Sequence, residues 1–200
     1  MSQSNGSDRD AKANGTRRLA VVNFARTNHP LAAEEMRPFL ILTQAVYRQA
    51  DEAPGCLGVA HPVDRNEHLS FFERDWGRWG AFTAPEYYAG GVTIETVQEA
   101  SALSCWIDLS SLYSFVYSGM HLRGLANRRN YFQEMEEPGY AMWWTLEQPT
   151  WEEGASRLEK LWRSGISPEA FTFKNPYDEF GAPLQLSDIR LDSRKTDGRK

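Results

Sequence analysis

Hydrophobic positions recur along this chain with two periods, and the changes of period mark the elements. Leu19-Ala-Val-Val-Asn-Phe-Ala25 is a short run rich in β-branched and aromatic residues and predicts a first strand. Thr27-Asn28-His29-Pro30 follows as a turn, with Pro30 biasing His29 away from helix. From Glu34 to Ala50 the period becomes helical. Met36, Phe39, Leu40, Thr43, Val46 and Tyr47 repeat at three and four, giving one apolar stripe. Pro38 falls in the first turn or so, where its missing N–H costs least. Ala53-Pro54-Gly55 ends this unit, and Cys56 to Val63 reads as a second strand closed by Pro62.

Residues 64–99 fit neither period. Leu69-Ser-Phe-Phe72 predicts a short strand. Trp76, Trp79, Phe82, Tyr87 and Tyr88 then come spaced by Gly77, Gly80, Pro85 and Gly90-Gly91. That is too aromatic for a solvated loop and too broken for a long helix, so it reads as a binding lid or as a flap packing its rings on the core. A third strand begins near Val97–Glu99 and finishes with Ala102-Leu-Ser-Cys-Trp-Ile107. Asp108 is a good N-cap for a helix running to about Tyr117. Ser118-Gly119 predicts a bend, and Met120 to Phe132 a second helical stretch. Tyr140-Ala-Met-Trp-Trp-Thr-Leu146 is the fourth strand. Thr150-Trp-Glu-Glu153 matches a capping box before a helix carrying Ala155, Leu158, Leu161 and Trp162, and Gly165 stops it.

These elements imply a polar, disordered tail over residues 1–16, an α+β domain over 17–165 with the insert at 64–99, and an extended arm and charged tail over 166–200. Two βαβ-like halves predict a ferredoxin-like four-stranded antiparallel sheet with helices on one face. The other face would be bare, and the same sheet of a second chain would cover it most simply.

Composition narrows the function classes. With 41% hydrophobic and 24% charged residues the chain is an ordinary globule, and its net charge of −5 gives no basic field for nucleic acid. No run of 18 apolar residues argues for a membrane span, and residues 1–18 lack the apolar core of a signal peptide. Cys56 and Cys105 lie in apolar runs without metal spacing, which predicts buried free thiols and fits a reducing cytoplasm. Seven Trp, eight Tyr and ten Phe make 12%, a skewed share; most of these rings must be core, but aromatics concentrated in loops often line ligand sites.

The candidate chemistry falls between Cys105 and Trp144. Tyr113, Tyr117 and His121 are four residues apart, and on a continuous helix they share a face that Leu125, Arg128 and Phe132 continue. His121 reads as a general acid or base on a bound phenol or enol, as a hydrogen-bonded helix histidine, or as a haem ligand. The other histidines, His29, His61 and His68, show no metal-ligand spacing with it, though His61 at a strand end would be able to converge on the site. Tyr113 and Tyr117 are core rings or phenols that hold a substrate oxyanion. Arg128 and Arg129 point about 100° apart on a helix, and Arg128, sharing the His121 face, is the one expected inside. Trp106, Trp143 and Trp144 lie on strands and alternate faces. With Phe132, Trp79 from the insert and Asn23 from the first strand, they complete a candidate substrate site; for Asn23 a backbone-bonded strand amide is the competing reading. Glycine-rich phosphate loops, G-x-S-x-G, CxxC and HExxH are all missing, which disfavours nucleotide, serine-hydrolase and zinc chemistry.

Several of these residues carry a resemblance. The first strand with Asn23, the pattern W-x-D/S-x-x-x-L-x-x-F-V-Y from Trp106 to Tyr117, His121, and Arg128, Arg129, Tyr131 and Phe132 resemble the DUF3291 group of the dimeric α/β-barrel superfamily, whose best-known branch is antibiotic-biosynthesis-monooxygenase-like. The M-x-x-P turn, Ala141-Met-Trp-Trp144, and the T-x-E-E-x-x-x-R-L helix before S-P-E-A-F-T-F extend the likeness. It implies a dimeric α/β barrel, hence a homodimer, and cofactor-free monooxygenases, haem-handling enzymes, dehydratases, isomerases or plain ligand binders as activities. The expectation is a small-molecule tailoring enzyme acting on an aromatic or polyketide/terpenoid-like substrate without an organic cofactor. A haem enzyme and a non-catalytic ligand-binding dimer are the alternatives.

Overall fold

The computed structural model describes residues 16–64, 66, 69–187 and 189. Of the two expected tails, residues 1–15 and 190–200 lie outside this range, as does His68.

Four strands, β1 (Arg18–Arg26), β2 (Cys56–Val59), β3 (Glu99–Trp106) and β4 (Tyr140–Thr145), form one antiparallel sheet in the order β2-β3-β1-β4. Helix α1 (Arg37–Asp51) joins β1 to β2, α2 (Leu109–Val116) and α3 (Gly119–Ala126) join β3 to β4, and α4 (Trp151–Ser164) follows β4. This is an α+β fold. The caps behave as their side chains dictate. Asp108 accepts from the Ser111 amide and Thr150 from the Glu153 amide, satisfying N–H groups that the first helical turn leaves unpaired. Gly165 ends α4 at φ 77°, a conformation that favours glycine.

Three elements differ from expectation. Leu69–Phe72 is a turn rather than a strand. β2 stops at Val59, after a bulge between Cys56 and Gly58, because the chain then leaves the sheet and Val63 donates to Asp75 in the insert. The helical stretch expected to reach Phe132 ends at Ala126, where the Asn127 side chain turns back onto the Arg123 carbonyl.

Alternation along the strands sorts the core. Ala20, Val22 and Phe24, Leu103 and Cys105, and Ala141 and Trp143 share one face, and all are buried. Trp76, Trp79 and Phe82 of the insert and Trp151, Leu158 and Leu161 of α4 cover it. Phe82 and Trp76 meet Trp151 edge-on at 5.0 and 4.9 Å between ring centroids, and Trp76 stacks flat on Phe71 at 5.4 Å. α4 comes close enough that a Cβ at Gly154 would lie 3.1 Å from Val22. The expectation that this face awaits a second chain's sheet is therefore corrected: the chain covers it with its own rings. Within the insert, Trp76, Trp79 and Phe82 form a packed flap.

The segment after α4 is also more than a surface arm. Phe171 exchanges backbone hydrogen bonds with Met142 at the β4 edge, and Ala170 and Phe171 are fully buried. Phe171, together with Leu109, Leu112 and Phe173, covers Leu19, Val21 and Met142 on the opposite face, while Ala170 joins the cluster under the insert and α4.

If the insert is core, Trp76→Ala should cost about 3–5 kcal/mol, the usual range for a buried large ring. Urea unfolding measures it, and a loss below about 1 kcal/mol would instead make the insert a loosely held lid.

Candidate functional site

The second face of the sheet is not closed along its whole length. Its positions near the Arg26 end of β1 are Asn23 and Ala25 on β1, Ala100, Ala102 and Ser104 on β3, and Tyr140 on β4. β1 and β3 are the two central strands, yet all six residues are only half-buried. The helices on this side do not seal them. α3 packs against α1 and α2 and contains no buried residue, and the only buried residue of α1 is Ala50. Small side chains below, with the Tyr47 hydroxyl of α1 reaching only the Ser101 carbonyl, leave a floor that stays half-buried.

The break between α2 and α3 sets the surroundings of His121. Gly119 has φ +50°, and a Cβ there would lie 2.6 Å from the Gln49 side chain. That side chain accepts from the Met120 amide and docks the start of α3 on α1. The break removes the single helical face expected for Tyr113, Tyr117 and His121. The two tyrosine rings stay paired at 4.4 Å, and both meet Phe173 of the C-terminal segment. The His121 ring instead stands edge-on to Phe115 at 5.0 Å, and Phe115 lies on Trp106 at 5.0 Å.

His121 Nδ1 lies 3.0 Å from the Val116 carbonyl oxygen. A carbonyl only accepts, so Nδ1 carries the proton of the neutral ring and Nε2 keeps its lone pair. Burial among the rings lowers the imidazole pKa below its ordinary value, and the Val116 hydrogen bond opposes this more weakly. The ring at neutral pH is thus an uncharged base with a fixed tautomer. Tyr117 is 45% exposed at the rim. Tyr140, at the edge of the floor, accepts from the Phe173 amide, and burial raises its pKa.

Other expected site residues separate. Arg128 does not face inward: it is exposed in a single 3-10 turn, Arg128–Asn130, and donates to the Leu125 carbonyl; Arg129 is exposed too. Trp143 and Trp79 are buried on the covered face, away from the floor. Trp106 is fully buried and bonded to the Ser104 hydroxyl. Trp144 is half-buried and donates to the Tyr177 carbonyl. Phe132 meets Phe39 of α1 edge-on at 5.2 Å, at the far end of the open layer. His61 is paired with Asp51 at 3.0 Å and lies against Tyr47. Cys105 is a buried free thiol and Cys56 a half-buried one, both with pKa raised by burial. Among the described residues no group of three or more His, Cys, Asp or Glu is placed to hold a metal, and no helix is long and apolar enough to cross a membrane.

One titratable group escaped the sequence reading. Glu99 is 0% exposed, and neither carboxylate oxygen has a hydrogen-bond partner among the described residues. Burial pushes its pKa up to about 8, a nearby Ser101 hydroxyl pulling the other way. The signal was present in the alternation: Glu99 is in phase with Ser101, Leu103 and Cys105, so the period of two places it on the covered face. Two hollows are also present on the surface. One, about 180 Å³, is lined by Arg26, Tyr88, Ala89, Gly90, Gln98 and Gln133. The other, about 280 Å³, lies by Trp144, Arg157 and the turn at Phe180. His121 lines neither.

A family model described as a domain of unknown function, DUF3291, matches residues 18–185. No curated protein matches the chain.

His121 should titrate below 6.5 and show a protonated Nδ1 and bare Nε2 at pH 7 in long-range ¹H–¹⁵N spectra; an Nε2-protonated ring would contradict the assignment. Glu99 gives a second test. Its folded pKa is raised, so between about pH 4.5 and 8 the folded state holds a proton that the unfolded chain has lost, and stability falls as pH rises through that window. Glu99→Gln should therefore gain on the wild type from pH 4.5 upward. At ~1.4 kcal/mol per pKa unit the gain should reach a few kcal/mol by about pH 9. A gap that stays constant with pH would show that the carboxyl titrates normally.

Proposed function

The chain belongs to the DUF3291 family, and we propose that it is a small-molecule tailoring enzyme. On this reading it binds an aromatic or enolisable substrate, polyketide- or terpenoid-like in character, on the open face of its sheet and moves a proton with His121. The observation that carries the reading is the floor of Asn23, Ala25, Ala100, Ala102 and Ser104, half-buried on central strands that a plain core would seal. Small residues leave room for a flat ring, and Phe115, Tyr113, Phe132 and Phe39 supply apolar walls. His121 Nε2 accepts a phenolic or α-carbon proton, because Nδ1 is tied to Val116 and burial keeps the ring neutral. The Tyr113–Tyr117 pair orients the substrate carbonyl and stabilises the enolate. Arg128 has no part in this version. Isomerisation, dehydration and cyclisation can each begin from the enolate, as can oxygenation with dissolved O2 as the oxidant and the substrate as the electron donor, and the protein itself supplies only a proton acceptor and a donor.

The strand order supports a ferredoxin-like reading, since two βαβ units interlock so that β1 and β3 are central. A barrel dimer formed sheet-to-sheet loses its driving force, because the face it would use is already buried under the insert and α4. The cleft is accordingly assigned to one chain.

In a screen of phenols and β-dicarbonyl compounds, His121→Gln should lower kcat/KM by about 10²–10⁴-fold, the usual worth of a positioned acid–base group. Ala102→Phe, which fills the floor, should abolish binding of the same compound. Undiminished turnover in the folded His121→Gln protein would remove this mechanism.

A further inference from the structure

The 180 Å³ hollow lies at the opposite side of the sheet from His121, where β1 ends under the insert, and its lining is unusual for the number of unspent hydrogen-bond donors. Arg26 is a covered-face residue directly across from Glu99. Thr27 donates to Gln98, which makes Arg26 and Glu99 a non-hydrogen-bonded pair, the kind whose side chains start closest together. They nevertheless form no ion pair. Arg26 reaches the other way, and both its hydrogen bonds leave from Nη2, to the Tyr87 carbonyl at 2.7 Å and to Glu137 at 2.9 Å. Among the described residues its buried Nε has no partner and Nη1 makes no hydrogen bond.

The rest of the lining adds donors. Tyr88 and Gly91 use their backbone N–H groups within the loop, but those of Ala89 and Gly90, which lie between them, donate to nothing among the described residues. A Cβ at Gly90 would come within 2.3 Å of the Tyr88 hydroxyl, so only glycine lets that ring pack here. Gln98 lines the same wall. Gln133 spends its Nε2 on the Thr27 carbonyl and stands on the far side. Tyr88 closes the hollow, stacked on Phe72 and edge-on to Phe24. The Glu137 carboxylate is already paired with Arg26, and Glu99, directly across from the arginine, makes no ion pair with it. An arginine whose Nη1 bonds to nothing among the described residues and two consecutive backbone amides equally unbonded meet at one hollow, where Glu137 already holds the arginine's Nη2, and form a receptor for oxygen anions.

We propose that this hollow is a second ligand site, separate from the cleft at His121, that takes a small carboxylic acid with its carboxylate on Arg26 and the Ala89–Gly90 amides. At about 180 Å³ it is smaller than the roughly 300–1,000 Å³ of drug-sized sites, so the ligand is a short-chain acid. The planar guanidinium favours the two coplanar oxygens of a carboxylate. Tyr88 lies over any short apolar tail. The site rests on none of the groups assigned to the proton transfer, so it stands or falls independently of that reading.

The test is a ¹⁵N-amide titration of the full chain at pH 7 with acetate, propionate, butyrate, inorganic phosphate and, as a cation control, methylammonium. Saturable shifts at Ala89, Gly90 and Gln98 are expected with the carboxylates, with dissociation constants of order 1–10 mM for a site of a few hydrogen bonds. Arg26→Gln should weaken them at least about tenfold, and Gln98→Leu, which leaves the Arg26–Glu137 pair intact, by a few-fold. Should Arg26→Gln fail to fold, Gln98→Leu and the ligand series still decide. No saturable shift with any anion up to about 50 mM, equal response to methylammonium, or unchanged affinity in a folded variant would overturn the site. Phosphate binding as tightly as the carboxylates would overturn its assignment to carboxylic acids.

Discussion

The molecule depends on the packing of Trp76, Phe82, Trp151 and Leu158 against Ala20, Val22, Leu103, Ala141 and Trp143. A four-stranded sheet needs cover on both faces, and one helix plus a strand connection seldom supplies enough apolar area. Here the connection after β2 has been enlarged into an aromatic flap, and its rings interlock with α4 through edge-on and stacked contacts. The price is polar: among the described residues the buried indole nitrogens of Trp143 and Trp151 have no hydrogen-bond partner. Dense burial of large apolar side chains at roughly 25 cal/mol per Å² outweighs such losses and makes this face the stable half of the fold.

Because one face carries so much of the cohesion, the other can remain partly open. The half nearest Trp106 is closed by α2 and the Phe171–Phe173 segment, but the half nearest Ala25 and Ala100 has small residues below and helices that bury almost nothing above. The helix break at Gly119 is the hinge of this arrangement. It turns α3 back along α1, frees the imidazole from the tyrosine row, and brings Nδ1 onto the Val116 carbonyl. A single through-going helix would have placed the ring on a continuous face with no such tether. Fixing the tautomer in this way leaves one lone pair available without any charged partner.

Much of the fold was legible in the sequence because its signals are local. The β-branched run of β1, the Asp108 and Thr150 caps, the Gly119 break and the Gly165 stop each act through a residue's own backbone or its near neighbours. Non-local facts were not legible. Residues 64–99 read as a lid or as a flap on the core, but their aromatic content does not say which sheet face they cover, so that face was left to a partner chain. Phe171 reads as an arm residue, and only pairing with Met142 makes it core. At the site, His121 was legible as a residue type, but Arg128 was misplaced because the helical period was carried past Ala126, where Asn127 ends the helix. Glu99 was missed for the opposite reason: its alternation was plain, but a carboxylate in an apolar register was not read as buried.

The central claim is that the open half of the second sheet face is a ligand cleft with an imidazole at its edge. Its most direct measurement is amide and histidine chemical-shift mapping with a small set of phenolic fragments. The account predicts perturbations concentrated at Asn23, Ala100, Ala102, Ser104 and the His121 ring, with α4 and the rings of the covered face silent. Fragments that leave those positions unmoved, or that shift only residues of the covered face, would contradict it.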